Sequence, residues 1–267
     1  MENVSFYLSL FKWGLLAGTF FAISTAFTSP YLLLQRNSLF PHALTHILLL
    51  SLFILSLISS YIPVYFHFFI LLLITSILSA AIFLIIRLTH VFEDTATSLI
   101  TYLALALALV IATKSSQYDV VLLNYLFGSL MLVDKINVFE SLIVLIISFL
   151  VYLKYKELWL AQSIEKEIPG INFRKSGFGF FFLITLQTII GVKLMGVLLV
   201  SAFFVYSGTL ALKLSPSFKR VVPLTAILNL MGIFLGFILS IFFDIPFSAS
   251  AILFMSIYLI IILLKRS

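Results

Sequence analysis

The chain has no cysteine and very little charge. Without thiols there are no disulfides and no thiolate ligands, so any metal it handles meets imidazole, carboxylate or other oxygen donors. Only 10% of the 267 residues are charged, and no polar stretch is long enough to build a soluble domain. A GxxxxGK[ST] phosphate loop is missing, which excludes ATP binding by that route. A GxSxG elbow is missing too, so serine hydrolysis finds no support. Gly177-Phe178-Gly179 lacks both a preceding strand and a third glycine, and reads as close helix packing instead of a dinucleotide fingerprint.

What is present is hydrocarbon: 63% of residues are hydrophobic, and the mean hydropathy is +1.24. Runs of about 20 apolar residues suffice to cross a bilayer core of roughly 30 Å. Such runs are predicted at residues 6–34, 40–59, 64–86, 95–113, 138–153, 178–190, 194–212, 221–243 and 248–264. The first has an apolar core interrupted by Lys12-Trp13 and no small-residue cleavage pattern, so it reads as an uncleaved span. The expected fold is all-α: one polytopic transmembrane helix bundle over residues 1–267, with eight to nine spans. Residues 118–134 are apolar but short, with Asn124 and Gly128 inside, and predict a re-entrant or half-helix element. The stretch 187–196 reads as a broken or tightly turned helix pair. No internal repeat is visible, which disfavours repeat-built secondary transporters.

The net charge of +6 is better explained by orientation than by nucleic acid, because the basic residues cluster in a few connections. Arg36, Arg87, the 154–175 stretch, Lys213, Lys219, Arg220, Lys265 and Arg266 belong on the cytoplasmic side, which places the C-terminus there. The connections 60–63 and 244–247 carry no Lys or Arg and face outward, while Lys114, Lys135 and Lys193 are exceptions on the outer side. The densest charge cluster, 154–175, must lie outside the bilayer.

His42 and His46 open an apolar run, and an i, i+4 spacing puts both imidazoles on one helix face, where they can share a divalent metal. The alternative is that His42, following Pro41, stands at a helix start near the headgroups and meets backbone or water. The pair is HxxxH with Ala43 where a zinc protease needs Glu, so intramembrane proteolysis is a poor reading. Glu93-Asp94-Thr95 fits the capping of the helix that follows. Asp244, near Pro246, is either a turn residue or an outer-mouth carboxylate for docking or attracting metal. His67 and His90 have no partner at ligand spacing and read as interfacial or packed.

Taken in order, LLQRNSLFPHALTHI (33–47), FEDT (92–95), LFGS (126–129), GVKLMGVLLVSA (191–202) and DIP (244–246) resemble the segments of the ABC-3 family of metal-ion importer permeases. The resemblance covers most of the chain. It implies the membrane subunit of an ATP-driven importer for zinc, manganese or iron in the cell membrane of a bacterium or archaeon. It further implies a homodimer with two cytoplasmic ATPase subunits below and a metal-binding protein docking above. The permease would be no catalyst and hold no permanent cofactor; its metal is cargo. No nucleic-acid partner is expected, and lipid is its solvent.

The family usually carries Asp at the position of His42, and His at that of His46. An imidazole in place of the carboxylate shifts preference from manganese towards zinc. Other departures are Ser207-Gly208-Thr209-Leu210-Ala211 in place of a Pro-Ala-Ala-Thr-Ala run, and Ser248 where a glycine usually follows Asp-x-Pro. By resemblance, Glu165, Glu167, Pro169 and Gly170 form the coupling loop to the ATPase, and Asp244 lies at the outer mouth. An ion-gradient carrier and an intramembrane metal-dependent enzyme are the rival readings. The first would need mid-span carboxylates, which are few; the second would need a third ligand and a general base.

Overall fold

The computed structural model describes residues 2–63, 66–89, 93–113, 125–126, 128, 133–165 and 173–265. Among these residues there are nine α-helices and no strands: α1 (Glu2–Ala26), α2 (Ser29–Leu34), α3 (Phe40–Ile58), α4 (His67–Thr89), α5 (Glu93–Ala112), α6 (Lys135–Ile164), α7 (Arg174–Leu214), α8 (Val221–Phe243) and α9 (Phe247–Lys265).

The run 6–34 is not one helix. Pro30 has no N–H to give and its ring opposes the carbonyl four residues back, so the helix cannot pass through it. α1 ends at Ala26, Phe27 and Thr28 donate tightened bonds to Ser24 O (3.2 Å) and Thr25 O (3.1 Å), and α2 restarts with proline in its first turn. α2 in turn closes on Arg36, whose φ of 59° is left-handed. Arg36 N–H reaches Leu33 O and Asn37 N–H reaches Leu32 O, both at 3.0 Å, which is the double bond pattern of a Schellman turn.

α7 spans 41 residues, and a straight helix of that length would run about 60 Å, twice the bilayer core. It turns back on itself at Gly196, whose φ of 78° and ψ of 165° suit glycine alone. Gln187 and Phe204 bond the adjacent residues Thr28 and Ser29, although a straight helix would hold them about 25 Å apart. The stretch 187–196 therefore ends in a tight hairpin, and the two arms of α7 count as separate passes. Among the described residues five helices, α3, α5, α6, α7 and α8, are long and apolar enough to cross a membrane, and α1, α4 and α9 hold shorter apolar stretches.

α7 is the hub: α1, α2, α3, α4, α6, α8 and α9 all pack against it, while α3 lies along α5. Phe21 meets Phe203 edge-on with centroids 5.8 Å apart, amid the buried Leu44, Ile47, Leu183 and Met195. α8 and α9 approach closely at Gly236, where an added Cβ would come 2.6 Å from the Ala251 Cα, and Ser250 Oγ donates to Gly236 O at 2.7 Å. α6 runs well past the 138–153 run, to Ile164. Its 30 residues span about 45 Å, longer than a hydrocarbon core of roughly 30 Å, and its last turns carry Lys154, Lys156 and Glu157.

Candidate metal path at the start of α3

The Schellman turn at Arg36 and Pro41 in the first turn fix where α3 begins. Phe40 packs edge-on against Phe181 with centroids 4.7 Å apart. Phe181 lies seven residues into α7, about 10 Å from its Arg174 end, so the start of α3 is held against the first turns of α7. His42 is exposed and His46 half-buried; their ring centroids are 4.8 Å apart and their planes stand at 88°. An ion bonded at about 2.1 Å to two imidazoles in tetrahedral geometry puts their centroids roughly 5 Å apart, so the spacing suits a shared ion after side-chain rotation. His46 Nδ1 is buried with no hydrogen-bond partner among the described residues. A buried imidazole nitrogen without a partner is expensive, and persists where something else binds it.

Beside His42 a cavity of about 230 Å³ is lined by Leu39, Thr97, Ser98, Thr101 and Tyr102. Thr97 and Thr101 are buried one turn apart on α5, and Thr101 Oγ1 donates to Thr97 O at 2.8 Å. Nothing in the sequence alone singles out these hydroxyls. Their i, i+4 spacing gives a shared face, but which helix they would face was not written in it.

Tyr125 and Gly128 brace the site from the 118–134 segment, most of which lies outside the described residues. Tyr125 OH donates to Thr45 O at 2.9 Å, on the turn between the histidines, and Thr45 Oγ1 donates to His42 O at 2.6 Å. Gly128, with φ of 67°, sits so close to Met195 and Gly196 that a Cβ there would strike their backbone. Tyr125 thus touches α3 and Gly128 touches the α7 hairpin turn.

The other candidates stand apart from the histidines. Glu165 closes α6, exposed and extended (φ −141°), with its N–H on Ala161 O. Glu167, Pro169 and Gly170 lie outside the described residues, as do His90 and the side chains of Glu93 and Asp94. Asp244 takes the left-handed cap of α8 (φ 50°, ψ 44°), its carboxylate exposed, so its turn role is visible in the backbone. His67 Nε2 is 3.1 Å from Ile62 O, a packed histidine. Lys193, an exception to the charge bias, is paired with Glu140 at 2.7 Å and lies over the Phe68 ring at 5.6 Å.

A profile of the ABC 3 transport family matches residues 7–266. The high-affinity zinc uptake system membrane protein ZnuB of Buchnera aphidicola subsp. Baizongia pistaciae is 27% identical over 261 residues, covering 96% of this chain and 98% of that one. The manganese transport system membrane protein MntC of Halalkalibacterium halodurans is 24% identical, over 95% and 88% of the two chains. Among solved structures, PsaBC from Streptococcus pneumoniae in complex with Fab superposes with a TM-score of 0.80 at 17% identity, over 94% of this chain and 89% of that one, a likeness of fold. The chain belongs to the ABC 3 transport family, the metal-ion ABC importer permeases: it is a transport subunit, and ATP hydrolysis resides in a separate subunit.

Proposed function

We propose that this protein imports a divalent transition metal, zinc in preference to manganese, along a path that passes His42 and His46. The observation that carries the reading is the perpendicular imidazole pair, 4.8 Å between centroids, with a buried nitrogen left without a partner among the described residues. Relatives named for zinc and for manganese support a divalent cargo, and the replacement of a carboxylate by His42 supports the preference for zinc. Loose binding by two neutral imidazoles suits a path that must also release its ion. Among the described residues no three His, Cys, Asp or Glu converge, which a catalytic metal centre would require.

Residues 1–267 act as one transmembrane permease domain, in the inner membrane of a bacterium or an archaeon, with the C-terminus cytoplasmic. Two copies form the path between them, with two ATPase subunits on the cytoplasmic side and a metal-binding protein on the outside. Glu165, Glu167, Pro169 and Gly170 receive the ATPase. α6 carries Glu165 about 15 Å beyond Lys154, where the charged part of the helix begins, and this reach beyond the hydrocarbon supports the assignment. Asp244 is a contact for the binding protein at the outer mouth.

The test is zinc and manganese uptake by cells carrying His42→Ala, His46→Ala or both, with membrane levels checked. Each single change is expected to cut uptake at least about tenfold, with little further loss in the double variant, because the two rings form one site. Normal uptake in both single variants sinks the path. His42→Asp is expected to raise manganese uptake relative to zinc, and an unchanged ratio removes His42 from selectivity.

A further inference from the structure

We infer that Thr97, Ser98 and Thr101 of α5 supply oxygen ligands to the ion at His42 and His46, and that the cavity they line is a holding station which sets the balance between zinc and manganese. The inference rests on the metal path proposed above and assigns to it three residues on a second helix.

Ligand number is the starting point. Two imidazoles fill half of a tetrahedral zinc shell and a third of an octahedral manganese shell, and no third His, Cys, Asp or Glu joins them among the described residues. Among the described residues, the oxygen donors nearest His42 are then hydroxyls. Hydroxyls are at hand: Thr97, Ser98 and Thr101 line the same cavity as His42. Thr97 and Thr101 are each only 7% exposed, so their hydroxyls are not ordinary surface groups. Thr101 has its proton committed to Thr97 O at 2.8 Å, which leaves the oxygen as an acceptor, the state a cation needs.

The volume agrees with this role. A cavity of about 230 Å³ holds an ion with several waters, each claiming about 30 Å³ of liquid. Leu39 and Tyr102 stand exposed at its rim, so the cavity opens to the outside of the chain and an ion can enter with its waters. Neutral hydroxyl oxygens bind a divalent ion weakly, which lets the station fill and empty. They also favour the harder manganese over zinc, opposing the imidazoles. Selectivity is thereby divided between two helices: nitrogen donors on α3 and oxygen donors on α5.

Thr97→Val with Thr101→Val keeps shape and removes both oxygens. In competition uptake through the complete transporter, this pair is expected to lower manganese relative to zinc at least about tenfold, in the range that the loss of partners around a metal site produces. Thr101→Ser, which keeps the hydroxyl, should restore the ratio. Should the double variant fail to reach the membrane, Ser98→Ala and Thr101→Val taken singly read the same ratio. As a second readout, cobalt added to the purified permease should show visible bands that change between the native chain and the valine pair. An unchanged ratio and an unchanged cobalt spectrum, in a background where His42→Ala abolishes uptake, overturn the hydroxyl station and leave the histidine path standing. Full uptake in His42→Ala overturns the path itself.

Discussion

Two polar regions sit in the same apolar bundle and are built in opposite ways. At the break between α1 and α2, fully buried Gln187 receives the Thr28 hydroxyl on its Oε1 at 2.8 Å and donates to Ser24 O at 2.8 Å and to Ser148 Oγ at 3.0 Å. Asn229 donates to Ala22 O and to Thr25 Oγ1, both at 3.1 Å. α7 and α8 thereby supply partners to the end of α1, just before the break at Pro30, and α6 holds Gln187 in place through Ser148. At the start of α3 the arrangement is reversed: His46 keeps a buried nitrogen unmatched, and His42 faces a cavity. In a medium without water, matched polar groups are structural cement, whereas the unmatched His46 nitrogen, on the reading proposed above, serves an ion that comes and goes.

The largest effect that separates the two comes from exchanging each for leucine. Gln187→Leu removes three bonds at once and leaves the Thr28 hydroxyl and Ser148 facing hydrocarbon, so unfolding in detergent should become easier by about 2 kcal/mol. His46→Leu should leave stability unchanged or raise it by about 1 kcal/mol, since an unpartnered polar atom disappears, while zinc uptake collapses. Thermal unfolding and uptake measured on the same two variants decide the matter. If both variants lose stability alike, the division between cement and site is wrong.

Much of this was legible in the residues, and for identifiable reasons. Hydropathy marked most of the helices because lipid imposes run lengths, and the charge in 154–175 falls on the end of α6 and the start of α7. It did not mark where α6 ends: Lys, Glu, Leu, Ala and Gln keep a helix going in water, so the last eleven residues, 154–164, follow propensity after hydropathy has fallen. The i, i+4 spacing of His42 and His46 predicted their meeting because helix geometry is local. The break at Pro30 was hidden in an apolar run, and the groups that satisfy it, Gln187 and Asn229, lie 159 residues from Thr28 and 204 from Thr25. The α5 hydroxyls were likewise invisible as a site until α3 was seen beside them. What a residue faces across helices is tertiary information, and one sequence does not hold it in readable form.

A smaller effect sharpens the comparison from the cement side. Asn229 also has a buried oxygen, Oδ1, with no partner among the described residues, so it is less completely matched than Gln187. Asn229→Leu should therefore lower stability by about 1 kcal/mol, roughly half the loss at Gln187. Hydrogen exchange at residues 22–28 should rise in both variants, and more in Gln187→Leu. Equal losses would mean that bond count does not govern this region and that steric fit of the amides does.

The smallest effect probes the contact where cement touches site. Tyr125 OH donates to Thr45 O, and Thr45 precedes His46, so the bond holds the turn that presents both imidazoles. Thr45 O has two lone pairs and lies within a helix, hence it keeps its backbone partner when the phenol is lost. Tyr125→Phe preserves the ring and should lower stability by only about 0.6 kcal/mol, the average for one such bond in a membrane protein. If the bond only stabilised the bundle, nothing else would change. As a positioning contact it should raise the zinc concentration needed for half-maximal uptake while the maximal rate stays near normal, because the α3 turn would wander before the ion binds. A fall in maximal rate with unchanged half-saturation would instead tie Tyr125 to the motion that passes the ion inward, and would move it from the binding step to the release step.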